Sequence, residues 1–584
     1  MKKLILLAAM VSGAAGAQQS VTVAGQKNAS PWLKAESQHF IVFSNTSNDD
    51  VRQLLDNLEK LDHVLRLYTN GYRIAALPKQ KITLYYHDNI GGFNAAVTDA
   101  PPEAVGLYNS CGHGVQGYAT HLSSIDNMRP EQLAKQPLNS SQSYIFEAYT
   151  RHFLYRYTDI RMPAAYIDGF AQYFSTVRFA DKQMSLGRVP GSAGRYIYFL
   201  DNGHGYKLKY QDILEPAASK DTDVTAEPAV RLEFMTKSWL LTHYMLSSSD
   251  NLERRDLYLN QTHLDTPIGQ AFTTAFNMKV PELDTAMWRY RNKGIQVTQL
   301  EVPSLPTARV DFTSLPNAVT DFVLADAVLK SCPAQPRGAA LLKALSQQPG
   351  GVPNNEAAKL TLSRAQIDWG KAEEALPYLN EATRKEKASA EAFYLLGAAN
   401  LRLAEQRKEP SYLQAAVEHL TRAHSLDPDS SEAAFALYQA RLATSDKPDA
   451  ATLDAAIAAW RNAHEVNLYA RAAALAFAYS GKGTEADNAL TLLAHNALDP
   501  EMAKWAQAWL ARLGKGVSHA DVLAEMRRPA ASSAAFREWT VAGEDLMKTV
   551  EYNAGIENTR RYLENMRLSN PVSETNQFVM PSKK

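Results

Sequence analysis

Two acidic residues and one arginine stand at a spacing that could bring their charges together. Glu147 and Arg151 are four positions apart, and Asp168 follows Arg151 by seventeen positions. Residues at i and i+4 project from the same face of a helix, and the acidic residue is favoured on the N-terminal side. The planar fork of a guanidinium can bond two carboxylates at once. The spacing therefore predicts an ion-pair cluster in which Arg151 joins Glu147 to Asp168.

Two consecutive helices must position this cluster. Apolar spacing predicts the first helix over residues 144–157, with Ser140 or Ser141 as its cap. The helix that follows it carries Asp168. If the second helix packs against the first, the carboxylate of Asp168 can reach the face that holds Glu147 and Arg151.

Upstream, the sequence mixes strands with a long amphipathic helix. Short runs rich in β-branched and aromatic residues indicate strands, and apolar residues at three-to-four spacing indicate the helix. The strands are predicted at 39–44, 81–86, 106–108 and 117–122, the helix at 51–68, and a glycine-rich turn at 111–114. This mixture predicts an α+β domain.

The chain around the two helices resembles the gluzincin-like peptidases, in the peptidase MA-like form found in exported bacterial proteins and often joined to tetratricopeptide repeats. The likeness extends over most of residues 32–295. Within the two helices it is carried by Tyr149, Thr150, His152, Gly169 and Ala171. The resemblance implies a gluzincin-like α+β domain, expected at residues 18–300.

The positions that do chemistry in such peptidases are replaced in this chain. Active relatives carry two histidine ligands at i and i+4, a glutamate base beside the first, and a third zinc ligand on the next helix. Glu147 and Arg151 stand at the histidine positions, Ala148 at the base and Asp168 at the third ligand. Without imidazoles zinc is not held, and without the carboxylate its water is not activated. The resemblance therefore implies a peptidase-shaped domain with no catalytic residues and no cofactor.

Other residues could still bind zinc. Cys111, His113 and His121 have suitable side chains, although they span two predicted strands and a turn without tight ligand spacing. His152 should point about 100° around the helix from Arg151, which favours a packed histidine. Zinc is thus the alternative cofactor. If a substrate cleft persists, the residues expected to line it are Tyr149, His152 and Tyr166.

The first seventeen residues have the features of a secretory signal peptide. Basic residues precede an apolar run at 4–11, and small residues lead to a predicted cleavage after Ala17. The apolar run is too short to span a membrane, which needs about 20 residues. We expect an exported protein, periplasmic or extracellular, with no integral membrane segment after cleavage.

Charge and cysteine content narrow the possible partners. The 584-residue chain has a formal net charge of -1, from 61 basic and 62 acidic residues, so no basic excess attracts nucleic acid. Its two cysteines, Cys111 and Cys332, could form a disulfide in an exported protein or remain independent thiols. The sequence leaves both states open.

Beyond residue 300 the chain becomes alanine-rich and helical. Prolines mark a connector at 301–316, and residues 317–514 show helix pairs near the tetratricopeptide period of about 34 residues. Small residues recur in the first helices, at Ala325, Ser363 and Gly397, where they allow close packing. Residues 515–584 indicate two more helices and a polar tail. The repeats predict a surface for a peptide or protein partner.

Two functions from different classes follow. The first is a non-catalytic exported peptide- or protein-binding protein that joins a pseudo-metallopeptidase domain to a repeat scaffold. The alternative is a peptidase or other hydrolase that binds zinc through atypical residues or works without metal. Replacement of both ligands and base favours the first. The expected fold is an α+β N-terminal gluzincin-like domain followed by an all-α tetratricopeptide-type helical repeat array.

Overall fold

The computed structural model describes residues 32–553, except 73, 75–78, 98, 102–103, 123–139, 181, 205–207, 216–226, 303, 349, 497–498 and 532–534. The expected signal peptide at 1–17 and the expected polar tail at 570–584 lie outside the described residues. No helix in the described part of the chain is long and apolar enough to cross a membrane.

Seven of the described strands form a mixed sheet, and three form a smaller antiparallel sheet. The strands are β1 (Leu33–Glu36), β2 (Phe40–Ser44), β3 (Ile82–His87), β4 (Ala104–Cys111), β5 (Gly114–Thr120), β6 (Arg178–Ala180), β7 (Gln183–Leu186), β8 (Thr298–Glu301), β9 (Asp311–Ser314) and β10 (Phe536–Val541). The large sheet has the order β10-β4-β5-β3-β2-β1-β9, and the small one β6-β7-β8. β3 runs parallel to β2 and β5, and the other pairs are antiparallel. The four predicted strands are confirmed as β2 to β5.

Two strands of the large sheet come from segments that the sequence assigns elsewhere. The residues around Phe536 and Trp539 were expected to be helical, but they form β10, which pairs with β4 and places Trp539 opposite Leu107. Their aromatic and β-branched composition suits a pleated surface, and pairing with a distant strand decides the outcome. β9, from the expected connector, pairs with β1. The large sheet therefore draws on both ends of the described chain.

Eleven described helices surround the two sheets. They are α1 (Asn48–Tyr68), α2 (Ile90–Ala96), α3 (Ser140–Tyr157), α4 (Ala164–Ser175), α5 (Gly191–Asp201), α6 (Tyr210–Leu214), α7 (Pro228–Met245), α8 (Ser249–His263), α9 (Ile268–Phe276), α10 (Leu283–Asn292) and, near the C-terminus, α23 (Gly543–Asn553). The predicted helix at 51–68 is α1, whose cap is Ser47, since the Ser47 side chain accepts from the Asp50 amide. The helix predicted at 144–157 begins earlier, because Ser140 already belongs to α3.

Between β9 and β10, the described residues form six helix pairs. Their helices are α11 (Asn317–Lys330), α12 (Gln335–Ser346), α13 (Glu356–Trp369), α14 (Leu376–Thr383), α15 (Ala390–Arg407), α16 (Pro410–Leu426), α17 (Ser431–Thr444), α18 (Ala450–Asn462), α19 (Asn467–Tyr479), α20 (Gly483–Ala494), α21 (Pro500–Leu513) and α22 (His519–Met526). α22 packs back on α19, where Arg471 Nη2 lies 3.1 Å from Glu525 Oε1. The helix pairs thus extend to Met526.

Small residues allow the paired helices to approach, as the repeat pattern predicts. A Cβ added to Gly397 on α15 would lie 2.5 Å from Leu420 Cγ on α16, so no side chain fits there. In this pair α15 is 18 residues long and ends at Arg407. The chain then turns through Lys408, whose φ is +58°, and enters α16 at Pro410.

The β4–β5 hairpin docks on the first helices of several pairs. Tyr118 Oη donates to the Ala327 carbonyl on α11 at 2.6 Å, and Tyr469 Oη on α19 donates to the Gly112 carbonyl at 3.1 Å. His113 Nε2 lies 3.6 Å from Asp368 Oδ2 on α13. Part of the face that the first helices build is therefore occupied by the chain's own hairpin.

A disulfide fastens the same hairpin to the repeats. Cys111, at the end of β4, is bonded to Cys332, just after α11, with a Cα–Cα distance of 6.4 Å. Of the two states that the sequence leaves open, the structure therefore contains the disulfide.

Candidate functional site

Close packing of α4 on α7 sets the position of Asp168. The next residue, Gly169, faces α7 so closely that an added Cβ would lie 2.2 Å from both the Ser238 carbonyl oxygen and Thr242 Oγ1. No side chain fits at this contact. Glycine at position 169 therefore allows α4 to approach α7, which holds Asp168 beside α3.

Glu147, Arg151 and Asp168 meet in an ion-pair cluster, as their spacing predicts. Arg151 Nη2 lies 2.8 Å from Glu147 Oε1 and 2.5 Å from Asp168 Oδ1. Both acidic residues are buried, with 6% of Glu147 and 8% of Asp168 exposed. One guanidinium nitrogen thus bridges carboxylates from two helices.

A third carboxylate joins the cluster from β10. Glu538 Oε1 lies 3.3 Å from Arg151 Nη1, so the guanidinium contacts three acidic side chains. The sequence analysis missed Glu538, because its approach depends on the pairing of β10 with β4 and the segment was interpreted as helical. No local sequence pattern indicates that Glu538 lies next to α3.

Burial and charge act in opposite directions on this cluster. Burial raises the pKa of Glu147 and of Glu538, and the nearby Arg151 only partly offsets that rise. For Arg151, burial alone would lower the pKa, but Asp168, Glu538 and Glu147 raise it well above its ordinary value. Arg151 therefore stays protonated, while the two glutamates accept protons more readily than exposed ones do.

The cluster does not fit zinc, the alternative cofactor. Zinc sites of this kind need imidazole or carboxylate ligands arranged around a space for the ion. Here the third side chain is a guanidinium, which is a cation, and it already contacts Glu147 and Asp168. Ala148, at the position of the base, has no group that could move a proton.

The alternative zinc ligands are not arranged as a set. Cys111 is bonded to Cys332, so its sulfur is not available as a thiolate. His121 Nδ1 lies 2.8 Å from the Tyr86 hydroxyl, and His113 faces Asp368 on α13. The alternative ligand set of Cys111, His113 and His121 therefore lacks its thiolate.

The three residues expected to line a cleft are instead packed in the core. Tyr149 Oη donates to Asp62 Oδ1 at 2.6 Å, and the Tyr166 hydroxyl lies 3.4 Å from that of Tyr72. His152 is 1% exposed, and burial lowers its pKa well below the ordinary value. These side chains project from faces of α3 and α4 that are directed into the α/β region. The positions of these residues along α3 and α4 did not indicate which face of each helix lines the cavity.

A cavity of about 400 Å³ lies beside the ion-pair cluster. The α/β region contributes α3, α4, α7 and β10 to its wall, and the repeats contribute α18, α19 and α20. Its apolar side chains include Phe234, Met235, Trp460, Leu492, Leu493 and Trp539. Its polar side chains include the cluster, Arg231, Arg161, Asn467, His495 and Asn496. Its size is within the range of ligand-binding pockets, and its wall combines apolar surface with charged side chains.

Comparisons with known proteins identify no family. No protein-family model matches the chain, and no curated protein matches it. A solved structure titled "Crystal structure of MamA" is similar to 34% of this chain and 99% of that chain, at 21% sequence identity and a TM-score of 0.21. At that TM-score the likeness carries no argument about the fold or function of this chain.

Proposed function

We propose that this is a non-catalytic exported protein that binds a peptide or protein partner. In this proposal the α/β region is a gluzincin-like pseudo-metallopeptidase, the helix pairs are tetratricopeptide-type repeats, and the partner enters the cavity between them. The pseudo-metallopeptidase assignment is based on the family resemblance of residues 32–295.

The observation that carries this proposal is the position of the Arg151 guanidinium. It lies within 2.8 Å of Glu147 and 2.5 Å of Asp168, the two acidic residues at expected ligand positions. A protonated arginine repels a divalent cation and cannot act as its ligand. Loss of the metal would remove both the Lewis acid and the activated water that a zinc peptidase needs.

Binding of a partner is supported by the cavity. Pockets of this size and mixed lining accommodate small ligands or short chain segments. The β4–β5 hairpin already covers part of the first-helix face, through Gly112 and Tyr118. The cavity next to α18, α19 and α20 is therefore the more favourable place for a second chain.

Export is supported by the disulfide between Cys111 and Cys332. Disulfides persist in the periplasm and outside cells, whereas reducing systems in the cytosol keep most thiols free. The N-terminal sequence of the protein purified from its native host tests this part of the proposal. We expect the mature chain to begin at Gln18, and an intact Met1 on the functional protein would argue against export.

Metal content and peptide cleavage test the non-catalytic part. The purified mature protein would be supplied with zinc, dialysed and analysed for metal, and unstructured peptides would be incubated with it, with and without chelator. We expect neither stoichiometric zinc nor chelator-sensitive cleavage. The matched control is E147H/A148E/R151H, which restores two imidazoles and a base and should gain affinity for zinc. Near-stoichiometric zinc with chelator-sensitive cleavage in the wild type would support the hydrolase alternative.

A further inference from the structure

The ion-pair cluster has more negative than positive charge. Three carboxylates, Glu147, Asp168 and Glu538, surround Arg151, and Arg231 on α7 also faces them from the cavity wall. With all five groups charged, three negative and two positive charges leave one negative charge in excess. An uncompensated charge in a largely buried site is costly, so the site favours a bound proton or a bound cation.

Other charged groups on the wall do not offset this excess. Arg161 Nη1 lies 2.8 Å from Asp265 Oδ1, and Glu465 pairs with Arg156. Arg537 precedes Glu538 on β10, and strand alternation directs its side chain to the opposite face of the sheet, where its charge interacts with that of Asp99. The excess therefore belongs to the cluster itself.

Two buried acceptor atoms in the cluster lack a donor. Asp168 Oδ2 is buried and has no hydrogen-bond partner among the described residues. Glu538 Oε2 is likewise buried and has no hydrogen-bond partner among the described residues, whereas Glu147 binds Arg151 through Oε1. Asp168 as a whole residue is 8% exposed, and its side chain is 11% exposed. A ligand that donates hydrogen bonds here would compensate for desolvation that the fold leaves uncompensated.

Arg231 is the second positively charged residue of this site. Its guanidinium makes no direct hydrogen bond or ion pair with a described residue. It is close enough to Asp168 and Glu147 to interact electrostatically with both carboxylates. The two residues three and four positions later on α7, Phe234 and Met235, line the same cavity. The charged end of the cavity therefore continues directly into an apolar surface.

We propose that the cavity binds an ammonium group carried on an apolar body, with Asp168 and Glu538 as its acceptors. This inference rests on the proposed function and names the chemistry of the ligand. An ammonium group has three donors and one positive charge, which match the unpaired acceptors and the single excess charge. A peptide amino terminus and a lysine side chain both supply it, and Phe234 and Met235 line the cavity where the apolar part would lie.

Calorimetric titration of short peptides into the full-length mature protein tests this inference. The probes are Phe-Leu-Ala amide, which has only an amino-terminal charge, its N-acetyl form, which has none, and N-acetyl-Phe-Leu-Lys amide, which has only a lysine charge. We expect the N-acetyl form of the first peptide to bind about 10- to 100-fold more weakly, the value of one hydrogen bond to a charged group. Binding of the lysine peptide alone would identify the side chain as the source of the ammonium.

Two variants distinguish a site that binds an ammonium group from one that binds a carboxylate group of the ligand. E147Q removes one negative charge and should weaken binding of Phe-Leu-Ala amide, and E538Q serves as a second variant if E147Q does not fold. R231M makes the site more negative, so the same peptide should bind at least as tightly as to the wild type. Loss of binding in R231M, equal binding of the acetylated peptide, or no binding of either charged peptide would overturn the inference. Those results leave the proposed function standing, whereas chelator-sensitive cleavage would remove the proposed function itself.

Discussion

Arg156 on α3 and Glu465, in the loop between α18 and α19, form a fully buried ion pair. Arg156 Nη1 lies 3.1 Å from Glu465 Oε1, and the two side chains are 2% and 1% exposed. Arg156 Nη2 also donates to the Asn462 carbonyl at 2.9 Å. This pair connects α3 to the loop between α18 and α19, next to the cavity.

Replacing Arg156 with methionine should destabilise the protein strongly. The change would leave the Glu465 carboxylate buried without its partner, and breaking a buried pair costs about 3 to 5 kcal/mol. Chemical denaturation measures the free energy of unfolding. In the double variant R156M/E465L, no charge is left unpaired, so we expect much of the loss to be recovered.

The exposed pair of Arg402 and Glu405 provides the matched control. Its atoms lie 3.5 Å apart, and more than half of each side chain is exposed. Exposed pairs contribute about 0 to 1 kcal/mol, so R402A should change little. If R156M were as stable as R402A, Arg156 would not be fastening the repeats to α3.

Removing the charge of Arg151 should destabilise the protein in a pH-dependent way. In R151M three carboxylates would share a buried site, with Arg231 as the remaining nearby cation. Burial already raises the folded-state pKa of Glu147 and Glu538 above 4.5, so their protonation favours the folded state at low pH. That contribution is lost as pH rises through the raised pKa values, and removal of Arg151 raises them further.

We therefore expect R151M to lose more stability at neutral than at acidic pH. Urea denaturation of R151M and wild type across a pH series gives the difference in free energy of unfolding at each pH. R231M removes the other nearby cation, which makes no direct ion pair with a described residue, so its loss of stability should have the same pH dependence and be smaller. A deficit in R151M that does not vary with pH would contradict the coupling between Arg151 and the two glutamates.

The sequence predicted the part of the site that depends on local geometry. Glu147 and Arg151 are one helical turn apart, and Asp168 lies on the next helix, so their meeting follows from short-range spacing. Glu538 was missed because it arrives through sheet pairing with β4, which a local pattern cannot specify. The pairing of Cys111 with Cys332 is similarly a property of how the hairpin docks.

The open face of α3 could not be read from its sequence. Phe146, Tyr149 and Phe153 pack into the core, while Leu154 and Tyr155 line the cavity, so apolar residues stand on both sides of the helix. When a helix is apolar around most of its surface, its sequence pattern does not show which face lines a functional site. Tyr149 and His152 were therefore assigned to a cleft, whereas the structure buries them.

Substitution of Gly169 tests whether helix packing positions Asp168. A Cβ at Gly169 would lie 2.2 Å from the Ser238 carbonyl oxygen, so G169A should force α4 away from α7 and lower stability by about 1 to 3 kcal/mol. Thermal unfolding measures the loss. The control is G194A on α5, where the nearest atom to an added Cβ is Val189 Cγ1 at 3.5 Å, an ordinary contact. Equal melting temperatures for G169A and G194A would show that α4 can shift without cost.

Reduction of the disulfide should loosen the docking of the hairpin on the repeats. Cys111 and Cys332 are 221 positions apart, and a disulfide that closes a long loop restricts the unfolded chain. Its loss from a protein typically costs about 2 to 5 kcal/mol. We expect reductant to lower the unfolding midpoint and to speed hydrogen exchange in β4, β5 and α11, where the Tyr118 hydrogen bond to Ala327 also holds the two parts together.

The variant C111A/C332A separates this effect from other actions of the reductant. It lacks both thiols, so its unfolding should not respond to reductant and should resemble that of the reduced wild type. Intact mass after alkylation, without prior reduction, shows whether the purified wild type carries free thiols. Two alkylated cysteines in the folded, exported protein, or faster exchange everywhere except β4, β5 and α11, would contradict a disulfide that fastens the hairpin to the first helix pair.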